Sequence, residues 1–146
     1  MRTEELEYLP EGLLEEEGGT VVPYSLALHG NVKISKNFHV NEFSCHDGTD
    51  TVLVDKKLLP VLEGIRAHFG APVIVLSGYR TPGYNAKVGG REHSQHQLGR
   101  AADIRIPGVK PSDIYAFLDA HHEGGLGSYG SFTHVDTRGH RSRWAG

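Results

Sequence analysis

Cysteine is nearly absent from this sequence of 146 residues, which has Cys45 alone. No disulfide can therefore form within the chain. The sequence also has no apolar stretch near the ~20 residues that a membrane helix needs. Residues 1–19 lack the basic start and the apolar run of a secretory signal. We therefore expect a protein without a membrane span that is synthesised in the cytoplasm.

A strong excess of one charge is also missing. The formal net charge is -3 with histidine neutral, and Arg138, Arg141 and Arg143 form only a short basic cluster. This charge balance does not favour nucleic-acid binding. Hydrophobic residues at 38% and charged residues at 23% are typical of a globular protein of single-domain size.

Histidine, in contrast, is abundant. The chain has ten histidines, and several lie between Glu92 and His140, in the same stretch as Asp103 and Asp136. Imidazole and carboxylate groups are the side chains from which metal centres and acid-base sites are built. The sequence therefore directs attention to one active site in this stretch.

The pattern along the chain predicts an arm followed by one domain. Residues 1–36 combine acidic runs with Gly18-Gly19 and short apolar patches, so we expect an irregular N-terminal arm. We expect residues 37–146 to form the functional domain. Within it, the apolar period from Asp55 to Gly70 predicts a first helix, and residues 73–76 predict a buried strand.

The second half of the domain predicts strands that carry the polar candidates. Residues 101–106 alternate, which puts Asp103 on the face opposite the apolar side chains. A second helix should begin at Pro111 and end before Gly124 and Gly125. Residues 132–137 alternate as well and put His134 on their polar face. We expect two main helices packed on a small, mainly antiparallel sheet, an α+β fold.

Three of these polar residues suit a zinc site. Catalytic zinc takes three protein ligands from His, Asp, Glu or Cys and leaves a fourth position open. His96 lies in a polar loop, Asp103 follows seven residues later on a strand, and His134 lies on a later strand. Gly99 allows a sharp turn between the first two. Each residue taken singly also fits a surface loop or a salt bridge, so the set and its spacing carry the hypothesis.

The longer motifs carry a family resemblance. Residues 94–103 match the pattern SxHxxGxAxD, residues 77–82 read SGYRTP, and residues 132–136 read FTHVD. Together they resemble the zinc D-Ala-D-Ala carboxypeptidase family, whose wider group includes D-Ala-D-Ala dipeptidases, phage L-alanyl-D-glutamate endolysins and the hedgehog signalling domain. The resemblance covers roughly residues 38–144 and is closest to short phage and prophage members.

The resemblance implies a hedgehog-like or D-Ala-D-Ala-peptidase-like fold and a set of residue roles. It implies His96, Asp103 and His134 as Zn²⁺ ligands and Arg80 as a contact to the substrate or to the oxyanion. Arg80 offers a planar fork of donors for either task. A surface arginine in a turn is the structural alternative.

The resemblance does not supply a general base. Many relatives place Glu or Asp three residues before the last metal histidine, or His two residues before it, but this chain has Ser131 and Phe132 there. Asp136 is our substitute candidate, because it shares a strand face with His134. It could equally orient a ligand histidine. His93 is a weaker candidate for the base.

Four further features complete the site hypothesis. Ser94 and Tyr129 are candidate substrate contacts, with loop capping and core closure as their structural alternatives. Trp144 could line the same groove. The segment Cys45-His46-Asp47 has ligand-type side chains but no partner motif, and we interpret it as a loop.

These observations predict a zinc peptidase that cleaves peptidoglycan stem peptides, as a D,D-carboxypeptidase or an endopeptidase of phage or prophage type. The first alternative is an L-alanyl-D-glutamate endolysin, and the second is a zinc-bearing virion module that binds the cell wall without cutting it. We expect a monomer, unless the chain is part of a virion. Without a signal peptide, it would reach the wall after release from the cell or within a virion.

Overall fold

The computed structural model describes residues 19–146, and it has the α+β architecture that the sequence predicts. The expectation for residues 1–18 lies outside the described residues. The strands are β1 (Val21–Ser25), β2 (Thr51–Asp55), β3 (Ile74–Ser77), β4 (Ala101–Arg105), β5 (Gly125–Ser128), β6 (Thr133–Asp136) and β7 (Ser142–Ala145). The α-helices are α1 (Leu26–His29), α2 (Leu58–Phe69), α3 (Pro82–Lys87) and α4 (Pro111–Asp119), and 3₁₀ turns span Val40–Phe43 and Gln95–Leu98.

The strands form two sheets. Strands β1 and β2 pair antiparallel as a two-stranded sheet, and the other five strands pair in the order β3-β4-β6-β5-β7. All pairs in the larger sheet are antiparallel except β5 with β7, which is parallel. The prediction of a mainly antiparallel sheet is therefore confirmed.

The two longer helices bury apolar stripes against the sheets. Helix α2 buries Leu58, Leu62 and Ile65, and it ends at Gly70 in the left-handed conformation that favours glycine. Helix α4 begins at Pro111, which suits the first helical position, and it packs on β5 and β6. No helix in residues 19–146 is both long enough and apolar enough to cross a membrane.

The larger sheet has an apolar face and a polar face, and this division positions the candidate site. In the register of β4 with β6, Ala102 lies opposite Val135, while Asp103 lies opposite His134. Because successive side chains alternate between faces, Ala102 and Val135 join the core and the other pair faces away from it. The predicted placement of Asp103 opposite the apolar side chains is confirmed.

Several element boundaries differ from the predictions. Helix α2 begins at Leu58, because Asp55 ends β2 and accepts a hydrogen bond from the Lys57 N–H instead of capping the helix. Helix α4 ends at Asp119, before the glycines that we expected to stop it. The strand predicted at residues 73–76 is observed one residue later, and its side chains are only half-buried.

The described part of the expected N-terminal arm is not irregular. Residues 21–25 form β1, which pairs along its length with β2, and α1 follows directly. The short apolar patch Val21-Val22 is therefore strand sequence. The boundary between arm and domain at residues 36 and 37 stays a prediction.

Candidate metal centre

A short turn holds His96, the first of the three candidate ligands, in a buried position. The Ser94 hydroxyl accepts a hydrogen bond from the His96 N–H at 3.2 Å, which starts the 3₁₀ turn Gln95–Leu98. Gly99 ends the turn at φ +72°. A Cβ at Gly99 would lie 2.6 Å from Leu53 Cβ, so the position needs glycine both for conformation and for space. The SxHxxG part of the motif is therefore a turn that buries one histidine.

Strand pairing brings Asp103 and His134 to that histidine. The two residues are direct partners in the register of β4 with β6, and both are buried. One potential ligand atom from each of His96, Asp103 and His134 lies within 4.8 Å of the other two. The three residues predicted as metal ligands thus converge, although they come from a turn and two strands.

Hydrogen bonds fix which nitrogen of each ring is free. The His96 Nδ1 lies 2.7 Å from the Gly78 carbonyl oxygen, which can only accept. The Nδ1–H therefore donates, and Nε2 is left as the nitrogen with a lone pair. The His134 Nε2 lies 2.7 Å from Asp136 Oδ2, so the same argument leaves its Nδ1 free.

The two free nitrogens meet at one carboxylate oxygen. His96 Nε2 lies 3.2 Å and His134 Nδ1 lies 2.9 Å from Asp103 Oδ1. Two imidazole nitrogens and one carboxylate oxygen, all buried and with both rings held from behind, form a donor set that suits a catalytic zinc. The residues present therefore fit the metal.

The charges of the cluster also favour binding a cation. Burial alone would raise the pKa of Asp103, but its close contacts with His134 and His96 outweigh burial and hold the pKa below its usual range. Burial would lower the pKa of His134, whereas its bonds to Asp103 and Asp136 raise it. The centre thus holds an ionised carboxylate and stabilises positive charge beside it.

Asp136 lies behind His134 and is completely buried. Its Oδ1 accepts from the backbone N–H groups of Gly125 and Arg138 and from the Arg138 Nε, and its Oδ2 accepts from His134 and the Arg138 Nη2. Five donors use the roughly four lone-pair positions of a carboxylate. Burial would raise the pKa of Asp136, but these bonds lower it.

Arg80 uses its fork within the site. Its Nε donates to Ser77 Oγ at 3.0 Å, its Nη1 to Asn85 Oδ1 at 3.3 Å, and its Nη2 to Asp103 Oδ2 at 3.3 Å. Arg80 thus contacts the carboxylate oxygen of Asp103 that does not face the histidines. The other N–H groups at its two Nη atoms remain for a further acceptor.

A cavity of about 620 Å³ lies above the cluster. Its floor includes Arg80 and the three clustered residues, and one wall is the loop of residues 88–95, which includes His93 and Ser94. Another part of the lining is aromatic, where Tyr129 stacks on Phe132 and accepts a hydrogen bond from the Trp144 indole N–H at 2.8 Å. We call this cavity the groove.

The groove also contains residues that the sequence did not indicate as members of the site. Arg91 and Arg138 line it, with guanidinium carbons 6.0 and 4.9 Å from the centroid of the Trp144 ring. Asn85 is buried beneath the loop and links Arg80 to the Arg91 carbonyl. These residues contact partners that are remote in sequence, so local patterns do not assign them to the site. The run of glycine and charged residues at 89–92 is the one sequence feature that could have indicated this loop.

The segment Cys45-His46-Asp47 takes no part in the cluster. Asp47 accepts hydrogen bonds from Thr81 and Thr49, which hold its pKa below the usual range. Among residues 19–146, the only grouping of His, Cys, Asp and Glu that could hold a metal is the cluster described above.

A family model and a curated relative match parts of this chain. The model of a family described as peptidase M15 matches residues 36–136. A curated relative, the "Probable peptidoglycan L,D-endopeptidase MepK" of Haemophilus influenzae, is 32% identical over 94 residues, which cover 58% of this chain and 50% of the relative. The chain thus spans about half the length of that relative. No solved structure matches the chain significantly.

Proposed function

The chain belongs to the peptidase M15 family, and on that premise we propose that it is a zinc-dependent peptidase that hydrolyses peptidoglycan stem peptides. The observation that carries the proposal is the donor set at Asp103 Oδ1. Two histidine rings present their free nitrogens there, and each ring is oriented by a hydrogen bond from behind. His96, Asp103 and His134 would hold the metal. When bound, zinc would activate a water molecule and polarise the scissile carbonyl.

Arg80 is the proposed contact to the substrate. Its guanidinium lines the groove while it is anchored by Ser77, Asn85 and Asp103. The remaining N–H groups can donate to the oxyanion that forms as the peptide carbonyl becomes tetrahedral. The anchoring fixes the donors before the substrate arrives, which is the condition for strong electrostatic stabilisation.

We assign Asp136 to positioning rather than to proton transfer. Its oxygens are saturated by donors, and it is shielded from the groove by complete burial. A group with a lowered pKa and no free lone pair is a poor base. His93 is then the candidate that would accept the proton of the attacking water, because it lines the groove and is exposed.

Peptidoglycan is proposed as the substrate because the curated relative is named as a peptidoglycan endopeptidase. Cationic and aromatic side chains both line the groove around the cluster. Ser94 and Tyr129 are proposed to contact the peptide along these walls. A D,D-carboxypeptidase, an endopeptidase and an L-alanyl-D-glutamate endolysin are the competing specificities, and phage-type release to the wall is part of the same proposal.

A module that binds the cell wall without cutting it is the second candidate. It is favoured by the residues that precede His134, because neither Ser131 nor Phe132 can serve as a base. Under this alternative, the zinc ion and the groove would bind the cell wall without catalysing hydrolysis.

Mass spectrometry of peptidoglycan separates these possibilities. Purified peptidoglycan fragments are incubated with zinc-loaded protein, with a zinc-treated Asp103→Asn variant as the control. We expect new fragments with the first protein only, and their masses name the bond that is cut. Undigested fragments that nevertheless co-sediment with the protein would support the binding module instead.

A further inference from the structure

Three arginines line the groove, and two of them are already paired. Arg80 lies 3.3 Å from Asp103, and Arg138 makes a two-pronged contact with the buried Asp136. Their positive charges are therefore balanced by carboxylates that belong to the site. Neither arginine brings an uncompensated charge to the groove.

Arg91 is different. It is exposed at the rim, and it makes no ion pair with any residue in the described range 19–146. Its guanidinium carbon lies 6.0 Å from the centroid of the Trp144 ring, which also lines the groove. The Arg91 side chain makes no hydrogen bond to a residue in the described range, so its fork of donors is free for a ligand, and the Trp144 ring lies at the outer limit of a cation–π contact.

Neighbouring residues fix the backbone of Arg91 and the side chain of Trp144. The Arg91 carbonyl accepts from Asn85 Nδ2 at 2.7 Å and from the Ser94 N–H at 3.1 Å, which anchors the loop at this residue. The Trp144 indole N–H donates to the Tyr129 hydroxyl, and the indole ring lies 5.0 Å from the His134 ring. Trp144 therefore lies beside the candidate metal centre, and the anchored loop keeps Arg91 at the same groove.

We propose that Arg91 and Trp144 form a subsite that binds a carboxylate of the substrate peptide, on a residue that flanks the bond to be cut. The inference rests on the proposed peptidase function. A free guanidinium fork matches a carboxylate with two parallel hydrogen bonds, and the indole face supplies contact for the adjoining chain atoms. The subsite thereby selects peptides that are anionic near the scissile bond.

The carboxylate has two sources in a stem peptide, the chain terminus and a carboxylate within the chain. Three synthetic stem peptides distinguish them: one with all carboxylates free, one with a terminal amide and one with an internal amide. Trp144 is the only tryptophan of the sequence, so its fluorescence reports binding at the subsite directly. Calorimetry measures the same dissociation constants independently.

The expected result is that one of the two amides weakens binding to the native protein by roughly tenfold, the scale of a charge-assisted hydrogen bond. Arg91→Gln should bind the three peptides with the same affinity to within about twofold. Lys87→Gln removes a positive charge from an exposed residue of α3 that does not line the groove, and it should keep the tenfold preference. The amide that weakens binding identifies the source.

Three results would overturn the subsite. The native protein could bind all three peptides alike, Arg91→Gln could keep the preference, or no peptide could bind at all. Because Arg91 is exposed, Arg91→Gln should have the same melting temperature as the native protein. An unchanged melting temperature excludes a folding defect as the cause of a lost preference. Glu92, an exposed acidic residue on the same rim, provides a further arm, since Glu92→Gln should keep the preference for the free carboxylate.

The same peptides separate the subsite from the peptidase proposal. If none is cut by zinc-loaded protein but the Arg91-dependent preference is present, the peptidase function fails and the subsite stands. If the peptides are cut equally well with and without the amides, the peptidase function stands and the subsite fails.

Discussion

At the scale of single residues, two buried aspartates on neighbouring strands differ in what surrounds them. Asp103 faces two free imidazole nitrogens through one oxygen and Arg80 through the other. Asp136 is surrounded by donors on both oxygens and touches the cluster only through the far nitrogen of His134. The same side chain is therefore suited to binding a metal in one place and to orienting a ligand in the other.

Replacing Asp136 by asparagine tests this division of tasks. The amide cannot accept from all the donors that Asp136 serves, so His134 should lose its orientation. We expect Asp136→Asn to weaken zinc affinity by ~10 to 100-fold and excess zinc to restore the rate of peptide hydrolysis. The measurement is the rate against added zinc.

The control for this experiment is Asp119→Asn, at a half-buried aspartate paired with Arg141 and Arg143 outside the groove. It should change neither zinc affinity nor rate. Normal zinc affinity with a ~10²-fold lower kcat in Asp136→Asn would return Asp136 to the role of base.

Arg80 provides a second prediction at this scale. Lysine keeps the charge but loses the fork that reaches Ser77, Asn85 and Asp103. Arg80→Lys should lower kcat/KM by roughly tenfold or more while the melting temperature changes little. Arg105→Lys, at an exposed residue of β4, is the matched control. Unchanged hydrolysis with a lowered melting temperature would assign Arg80 to structure alone.

The sequence predicts part of the site at this scale. The convergence of the three candidate ligands follows from strand alternation and from the motif with Gly99, both of which are local patterns. The partners of Asp136 do not follow, because the donors come from β5 and from the segment after β6. Sequence spacing alone could therefore not decide between base and positioning residue.

At the scale of elements, the turn at residues 94–99 and the register of β4 with β6 together build the centre. Gly99 is essential to this arrangement, because it has φ +72° and lies against Leu53 of β2. A side chain there would push the turn away from the smaller sheet. His96 would move with it.

Gly99→Ala should therefore reduce both stability and metal binding. The strained conformation and the contact 2.6 Å from Leu53 Cβ should lower the free energy of unfolding by ~1 to 3 kcal/mol. Urea unfolding and zinc titration measure the two effects. Gly130→Ala is the control, since that glycine has open space around its Cβ position and no positive φ. Equal stability of the two variants would remove Gly99 from this role.

The elements that the sequence missed have physical reasons. Strand β5 reads GLGS, so it lacks the alternation by which strands are recognised, and its glycines leave room for Trp144 and Asp136. Strand β7 pairs parallel to β5 across a long connection, which no local pattern announces. Helices α2 and α4 were predictable because each buries residues at helical spacing.

At the scale of the whole molecule, a buried carboxylate ties the smaller sheet to the site. Asp55, at the end of β2, is 1% exposed and accepts a hydrogen bond from the Thr137 hydroxyl, directly after β6. The Asp55 N–H donates to the Gly99 carbonyl at 2.8 Å. Through Asp55, the two-stranded sheet is thus hydrogen-bonded both to the turn that carries His96 and to the residue that follows the strand of His134.

Removing the Thr137 hydroxyl tests how much its hydrogen bond to Asp55 stabilises the protein. Thr137→Val keeps the shape but leaves Asp55 with a lost donor in a buried place, which should cost ~1 to 3 kcal/mol of unfolding free energy. Thr51→Val makes the same change at an exposed strand position and should have little effect. Denaturant unfolding measures the stability of both variants. Equal unfolding free energies would show that the hydrogen bond between Thr137 and Asp55 does not stabilise the protein.

The central claim is that His96, Asp103 and His134 hold one metal ion, and metal analysis of the purified protein tests it most directly. After dialysis against zinc and removal of the excess, the native protein should retain about one zinc ion per chain. His140→Ala, at an exposed histidine outside the groove, should retain the same amount, whereas His134→Ala should retain almost none although it stays folded by circular dichroism. Full zinc occupancy in folded His134→Ala, or none in the native protein, would contradict the account.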